Sequence, residues 1–534
     1  MNGSIGQPYR RAELADSWDA IVIGSGIGGL TAAALLARYA GRRVLVLERH
    51  YTAGGFTHVF HRPGFDWDVG VHYIGDNAEG RRLFDGVTRG GLTWNRMSEV
   101  YDRIVIDGRE YDYRAGDQEW REGLLSRFPG EKRAIEAWLR LLRNTSRASR
   151  LYFAEKALPA PLAHVAGGLL RRGFLRHARH STGDVLSSLT SNRELAAVLA
   201  GQWGDYGETP SRSSFGAHAI IAADYLEGAM YPVGGAASIA RSIVPEIEEH
   251  GGQVVVNAEV REILTDEQKR ACGVRLADGR ELRSKLVISD AGAVNTFTRL
   301  LPHAEMQKQL AAIPRSAAHL SLYVGLRGTA RDLGLSQTNL WLYPTADHDA
   351  NLRAFSSDID QRFPVIFISF PSAKDPEFEQ RHPGRSTIEV ISMAPYSAFE
   401  RWAGTRWKKR GADYDELKSR LAERMLEELM KAVPVARGHV EHAELSTPLT
   451  TAHFNGTGHG EIYGLAPTPE RFALRSLRPA TPVNNLYLTG ADLVVAGVAG
   501  AMVGGILCAS AILGRNLMSA VSKYDGSRGL RAAA

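Results

Sequence analysis

The chain has 534 residues, 44% of them hydrophobic and 23% charged, with 64 basic and 59 acidic side chains and a formal charge of +5. That length exceeds one simple core and suits two intergrown domains, the composition is that of a soluble globular protein, and so mild a positive excess carries no nucleic-acid signal. Two cysteines far apart, Cys272 and Cys508, exclude a disulfide framework and a CxxC redox or zinc motif, and they point to a reducing compartment.

Residues 1–18 are polar and lack the apolar core of a signal peptide, so a cytoplasmic location is expected. The apolar run Ile21-Val22-Ile23 then breaks at Gly24-Ser25-Gly26-Ile27-Gly28-Gly29 and becomes an alanine- and leucine-rich segment ending near Tyr39. This reads as strand, tight turn and helix. A second run, Val44 to Leu47, ends on Glu48, about twenty residues past the last motif glycine, which is the spacing of a dinucleotide fingerprint. Gly24 supplies an unusual backbone geometry, Gly26 a close approach to a pyrophosphate and Gly29 close helix–strand packing. The free N–H groups of the helix start face the phosphates. Glu48 can accept from both hydroxyls of an adenosine ribose, and its charge disfavours the 2′-phosphate of NADP.

Beyond Glu48 comes Arg49-His50-Tyr51-Thr52-Ala53-Gly54-Gly55, a double glycine that extends the nucleotide site, and then Asp68-Val69-Gly70-Val71-His72-Tyr73-Ile74-Gly75. This stretch resembles the flavoprotein superfamily of amine oxidases and phytoene desaturases, and within it the branch of retinol saturase and the carotenoid isomerases. The resemblance implies FAD, held at Gly24, Gly26, Ile27, Gly28 and Gly29, at Glu48 and Arg49, and at Gly54, Gly55, Phe56 and Thr57. It would also place His72 and Tyr73 at the flavin face of the pocket.

Further along, residues 103–106 and 110–113 flank Asp107-Gly108, a strong hairpin signal, and residues 117–150 carry helical apolar stripes interrupted at Pro129-Gly130. Residues 158–180 join an apolar stretch to a basic one holding Arg171, Arg172, Arg176 and Arg179. Two readings stand level: an interfacial helix dipping into an anionic leaflet, and a cap helix with a solvated basic face. Residues 186–199 read as helix, and Gly201-Gln202-Trp203-Gly204-Asp205-Tyr206-Gly207 as a loop at a pocket or a packed surface loop.

A helix over 236–250 and a strand over 252–257 resemble the return of the superfamily chain into the FAD domain, with the Val260 backbone against the adenine. Strands are expected at 273–279, 285–291, 319–326, 365–369 and 387–392, and an amphipathic helix at 414–432. No histidine has a partner at metal-ligand spacing; His382 and His442 read as solvated or core residues, and no metal is expected. The last return carries Glu461 and Tyr463, then the strand 486–488 and Gly490-Ala491-Asp492. In the superfamily that acid serves the ribityl and pyrophosphate region, and Gly500 and Ala501 follow against the flavin. Residues 493–514 contain no charge and could span a bilayer, but five glycines and the strand before them suit a buried helix.

The expected architecture is therefore α/β: a Rossmann-like FAD-binding domain with a parallel sheet, built from 17–85, 228–300 and 445–520. An α+β substrate domain with a helical cap takes 86–227 and 301–444, and 1–16 and 521–534 are read as flexible termini. The absence of GxSxG, HExxH and paired cysteines leaves no hydrolase, metalloenzyme or dithiol reductase. By resemblance the substrate is a long apolar polyene or unsaturated lipid met at the inner face of a membrane, and the reaction is saturation, desaturation or redox-neutral cis/trans isomerisation of a C=C bond. Unsaturated fatty-acyl chains and an amine oxidase remain alternatives. His72, Tyr73, Glu461 and Tyr463 are the candidates for moving a proton, or for holding the loops by hydrogen bonds.

Overall fold

The computed structural model describes residues 4–524. Its central layer is a six-stranded parallel sheet in the order Gln7–Pro8, Gln253–Val256, Val44–Leu47, Ala20–Ile23, Val287–Ser289 and Leu486–Leu488. Every residue of Ala20–Ile23 and Val44–Leu47 is buried, as continuous apolar runs require in a sheet covered on both faces. Strand order reverses between Ala20–Ile23 and Val287–Ser289, and a ligand crevice forms beyond the carboxyl ends of strands at such a switch point. Gly24 and Asp290 stand there.

Helix Ile27–Ala40 is buried from Ile27 to Ala37 and packs against Val498–Leu513. A Cβ at Gly505 would lie 2.6 Å from the Gly28 carbonyl oxygen, so glycine sets the approach of the two helices. The uncharged stretch 493–514 thus holds an internal helix, Val498–Leu513, and no helix among the described residues is long and apolar enough to cross a membrane.

A second, seven-stranded mixed sheet runs Arg109–Arg114, Val100–Ile106, Asn339–Tyr343, Ile366–Ser369, Arg385–Ala394, Ala318–Arg327 and Val440–Ser446. Its first two strands form the expected hairpin, with Asp107 and Gly108 both at positive φ (49° and 77°). Helices Asp117–Arg127, Lys132–Lys156, Ala160–Ala178, Thr182–Leu189, Arg193–Leu199 and Phe215–Tyr225 make the cap.

Several expectations are corrected. Gln7–Pro8 joins the parallel sheet, and Met518–Ser522 is helical, so 4–16 and 521–522 are not loose ends; residues 1–3 and 525–534 of the expected flexible termini lie outside the described residues. Residues 186–199 are two helices, because Asn192 caps a new one with its side chain on the Leu195 N–H. Arg171 does not belong to a solvated basic face: it is buried and donates to the Phe472 carbonyl at 3.0 Å. His382, read as a solvated or core residue, is largely buried, and its Nε2 lies 2.8 Å from Asp66 Oδ2, 316 positions away.

Candidate active site

One cavity of about 660 Å³ opens at the switch point and runs from Glu48 and Val260, past Gly24, Gly26 and Gly28, to Phe367 and Met393. That size suits a bound organic cofactor. At its polar end, Glu48 Oε2 accepts from the Ser25 N–H at 2.9 Å and its hydroxyl at 2.8 Å, and Oε1 accepts from the His50 N–H at 2.7 Å. Three bonds fix the carboxylate on the cavity wall and leave acceptor capacity for a diol. The Gly54 N–H donates to the Ser25 carbonyl oxygen, which folds the second glycine turn onto the first. Gly54 and Gly55, at φ 121° and 56°, occupy conformations that side chains resist.

The N-cap of Ile27–Ala40 is Gly26, which brings no capping side chain, so the positive end of the helix dipole faces the cavity. A Cβ at Gly28 would stand 2.5 Å from Gly490 Cα, and one at Gly26 2.4 Å from Asp290 Oδ2. Burial, with the charges of Glu48 and Asp492 adding, pushes Asp290 up to about 8. A neutral Asp290 near pH 7 removes the repulsion a carboxylate would exert on a phosphate there. Asp492 clamps two loops, accepting from the Ala293 N–H at 2.8 Å and the Leu465 N–H at 3.0 Å. The polar end thus fits a dinucleotide.

Of the residues expected to hold the cofactor, Gly24, Gly26, Ile27, Gly28, Glu48, Arg49, Gly54, Gly55, Phe56, Thr57, Val260, Gly490, Asp492 and Ala501 line the cavity. Gly29 and Gly500 do not. Gly29 sits against the Gly24 carbonyl oxygen and Gly500 against that of Val495, each too close for a Cβ, so both are packing glycines.

At the apolar end the wall is made by Trp341, Phe367, Ile391 and Met393, on neighbouring strands of the seven-stranded sheet. His72, Glu461 and Tyr463 also line it. Tyr73 does not reach the cavity; its hydroxyl turns to Asp102 at 2.8 Å and Asp205 at 3.0 Å. Glu461 accepts from the His459 N–H at 2.8 Å and Tyr463 donates to the Gly204 carbonyl at 3.1 Å, so both fasten loops.

His72 differs from these. Its Nδ1 lies 2.6 Å from Glu389 Oε2, which leaves Nε2 for the cavity the ring lines. Glu389 is fully buried and its Oε1 has no hydrogen-bond partner among the described residues. Burial pushes Glu389 up to about 8, against the pull of Lys374, and burial with the Lys374 charge brings His72 down to about 4. Near pH 7 the pair is neutral, with the proton on the carboxyl side. Lys374, itself lowered to about 7 by burial, donates to the His72 carbonyl at 2.9 Å and the Ser369 hydroxyl at 2.7 Å.

Glu389, Lys374, Asp290 and Asp205 are the functional candidates that the sequence reading missed. Asp205 lies in the glycine-aromatic loop 201–207 and does line the cavity. The available signal for Glu389 was a lone acid inside the apolar strand run 387–392, where a charge has no reason to be unless something buried uses it.

A cavity with a nucleotide end and a dry, aromatic end takes a cofactor whose reacting ring is carried beyond its phosphates, which is the build of a flavin-dependent oxidoreductase. Comparison with known proteins agrees: the flavin containing amine oxidoreductase family model matches residues 27–513, so the chain belongs to that family, and its cofactor is FAD. The chain is 39% identical over 542 residues to an all-trans-retinol 13,14-reductase of Danio rerio, covering 97% of this chain and 89% of that one. A chloroplastic prolycopene isomerase of Daucus carota is 26% identical over 524 residues (92% and 79% covered). An oxidoreductase structure from Methanosarcina mazei shares the fold, with a TM-score of 0.60 at 16% identity and 91% and 98% of the two chains covered.

Proposed function

We propose that this chain saturates a carbon–carbon double bond in a long apolar polyene, with His72 delivering the proton. The observation that carries this reading is the His72–Glu389 pair at the aromatic end of the cavity, 2.6 Å apart, with Glu389 fully buried behind the ring. Relatives at 39% and 37% identity point the same way, since they are named all-trans-retinol 13,14-reductases.

When bound and reduced, FAD supplies a hydride to one carbon of the double bond. Trp341, Phe367, Ile391 and Met393 hold the chain of the substrate and keep water out. His72 gives the Nε2 proton to the other carbon while Nδ1 takes the Glu389 proton, so the ring leaves the step neutral and Glu389 ionised. Lys374 stands by to stabilise that carboxylate until it is reprotonated. The bond gains one hydride and one proton, which is saturation.

The test is anaerobic mixing of photoreduced holoprotein with all-trans-retinol and with a carotenoid polyene, followed by mass spectrometry. A product heavier by two hydrogen atoms supports saturation. A product of unchanged mass and altered retention makes the chain an isomerase, and rapid bleaching of the oxidised flavin by amines makes it an amine oxidase. Either result overturns the proposal.

A further inference from the structure

Helix Ala160–Ala178 turns one unbroken seam to solvent: Leu162, Val165, Leu169, Arg172 and Arg176, continued by Arg179 at its C-cap. The spacing alternates three and four residues, which stacks these side chains on one face. Leu162, Val165 and Leu169 are 57%, 85% and 79% exposed, and Leu151 of the preceding helix is 57% exposed. A single exposed leucine needs no explanation, but such a run on one face does. Arg172, Arg176 and Arg179 line a groove together with Arg475, and no acid lines it with them. The seam is therefore apolar along its first two turns and cationic along the next two.

From this arrangement we infer that the seam docks on an anionic lipid bilayer, the apolar turns entering the acyl boundary and the arginines lying along the headgroups. A second copy of the chain fits less well. Parallel pairing would set arginine against arginine, and antiparallel pairing would set arginine against leucine. The helix and the turn before it are tied to segments that adjoin the cavity. Arg171 donates to the Phe472 carbonyl, Arg478 to the Leu158 carbonyl at 2.6 Å, and Lys156 to the carbonyl of Leu493, the residue after the cavity-lining Asp492. A bilayer that seats the seam thereby fixes the cavity relative to the source of an apolar substrate.

The experiment is flotation of the full-length holoprotein with phosphatidylcholine vesicles, with and without phosphatidylserine. Three variants accompany it: V165D/L169D, R172S/R176S/R179S and, as a control elsewhere on the surface, V435D. Wild type and V435D should float with the anionic vesicles. Partitioning should fall at least about tenfold in each seam variant, and the arginine variant should lose both salt sensitivity and preference for phosphatidylserine. Melting temperature and flavin content unchanged from wild type exclude unfolding; if V165D/L169D fails that control, the arginine variant decides. Equal flotation of all proteins, or none by wild type, overturns the inference. So does a seam-dependent shift in elution from dimer to monomer without flotation, which would assign the seam to a second copy. The readout involves no turnover, so it stands or falls apart from the saturation chemistry.

Discussion

His72 Nδ1 lies 2.6 Å from Glu389 Oε2, although 317 residues separate the two in sequence. The pair joins a loop that follows the nucleotide site to a strand of the other sheet, so the acid chemistry assembles only when both layers are in place. H72Q keeps a polar side chain at the wall but cannot relay a proton. Polyene turnover should fall by about 10²- to 10⁴-fold, with the flavin spectrum and its stoichiometry unchanged. Loss of flavin in H72Q would mean that the ring holds the loop and has no part in proton delivery.

The protonated state of Glu389 sets a pH limb. The carboxyl is pushed up to about 8 by burial, so turnover should decline as pH rises through about 8 and the proton is lost. In E389Q the limb should vanish and the residual rate stay flat. Stability follows the same sign. A carboxyl raised in the folded state binds a proton that the unfolded chain has released above its ordinary value of 4.5, so its contribution is lost as pH rises from there through 8. The melting temperature of E389Q relative to wild type should therefore climb between pH 6 and pH 9. A constant difference would deny Glu389 its raised value.

Much of this was legible in the chain before any coordinates. The glycine turn, Glu48 and the buried helix Val498–Leu513 follow from local rules, because a nucleotide site is built from short contiguous segments, while the double glycine and Asp492 enter through the resemblance to the flavoprotein superfamily. The apolar chamber and its acid could not be read that way. Trp341, Phe367 and Ile391 meet only through strand pairing between distant segments, and Glu389 meets His72 only where that sheet packs against the loop that follows the nucleotide site. Tyr73 shows the converse: it neighbours His72 in sequence, but past the bend at His72 its hydroxyl turns away, to Asp102 and Asp205.

Gly28 is a test of the nucleotide cradle. A Cβ there would meet Gly490 Cα at 2.5 Å and its N at 2.7 Å, and both are backbone atoms that cannot swing aside. G28A should cost about 1–3 kcal/mol by overpacking, and it should also weaken FAD retention, because the displaced Gly490 segment lines the cavity. Thermal unfolding and the ratio of flavin to protein absorbance measure the two effects.

Asp492 holds two loops through its two oxygens. In D492N one oxygen becomes an NH₂ that faces either the Ala293 or the Leu465 N–H, donor against donor. Leaving one buried amide unsatisfied costs about 1–3 kcal/mol, and D492A, which frees both, should cost more. FAD dissociation, followed by recovery of flavin fluorescence after dilution, should quicken in the same order. A D492N protein as stable as wild type would show that water replaces the carboxylate.

Met393 tests the assignment of the chamber to substrate. It forms part of the cavity wall beside Ile391, and on the neighbouring strands of the same sheet Trp341 packs at a tilt against Phe367 with ring centroids 4.4 Å apart. Methionine yields to irregular ligands, whereas tryptophan at 393 would fill the space with a large, stiff ring. In M393W the kcat/KM for a long carotenoid should drop at least about tenfold, because a steric block of this kind exceeds the roughly 1–3 kcal/mol of a single methylene. A short polyene such as retinol should lose much less, and FAD content should not change, since the nucleotide end is untouched. Equal losses for both lengths would place the substrate elsewhere along the cavity.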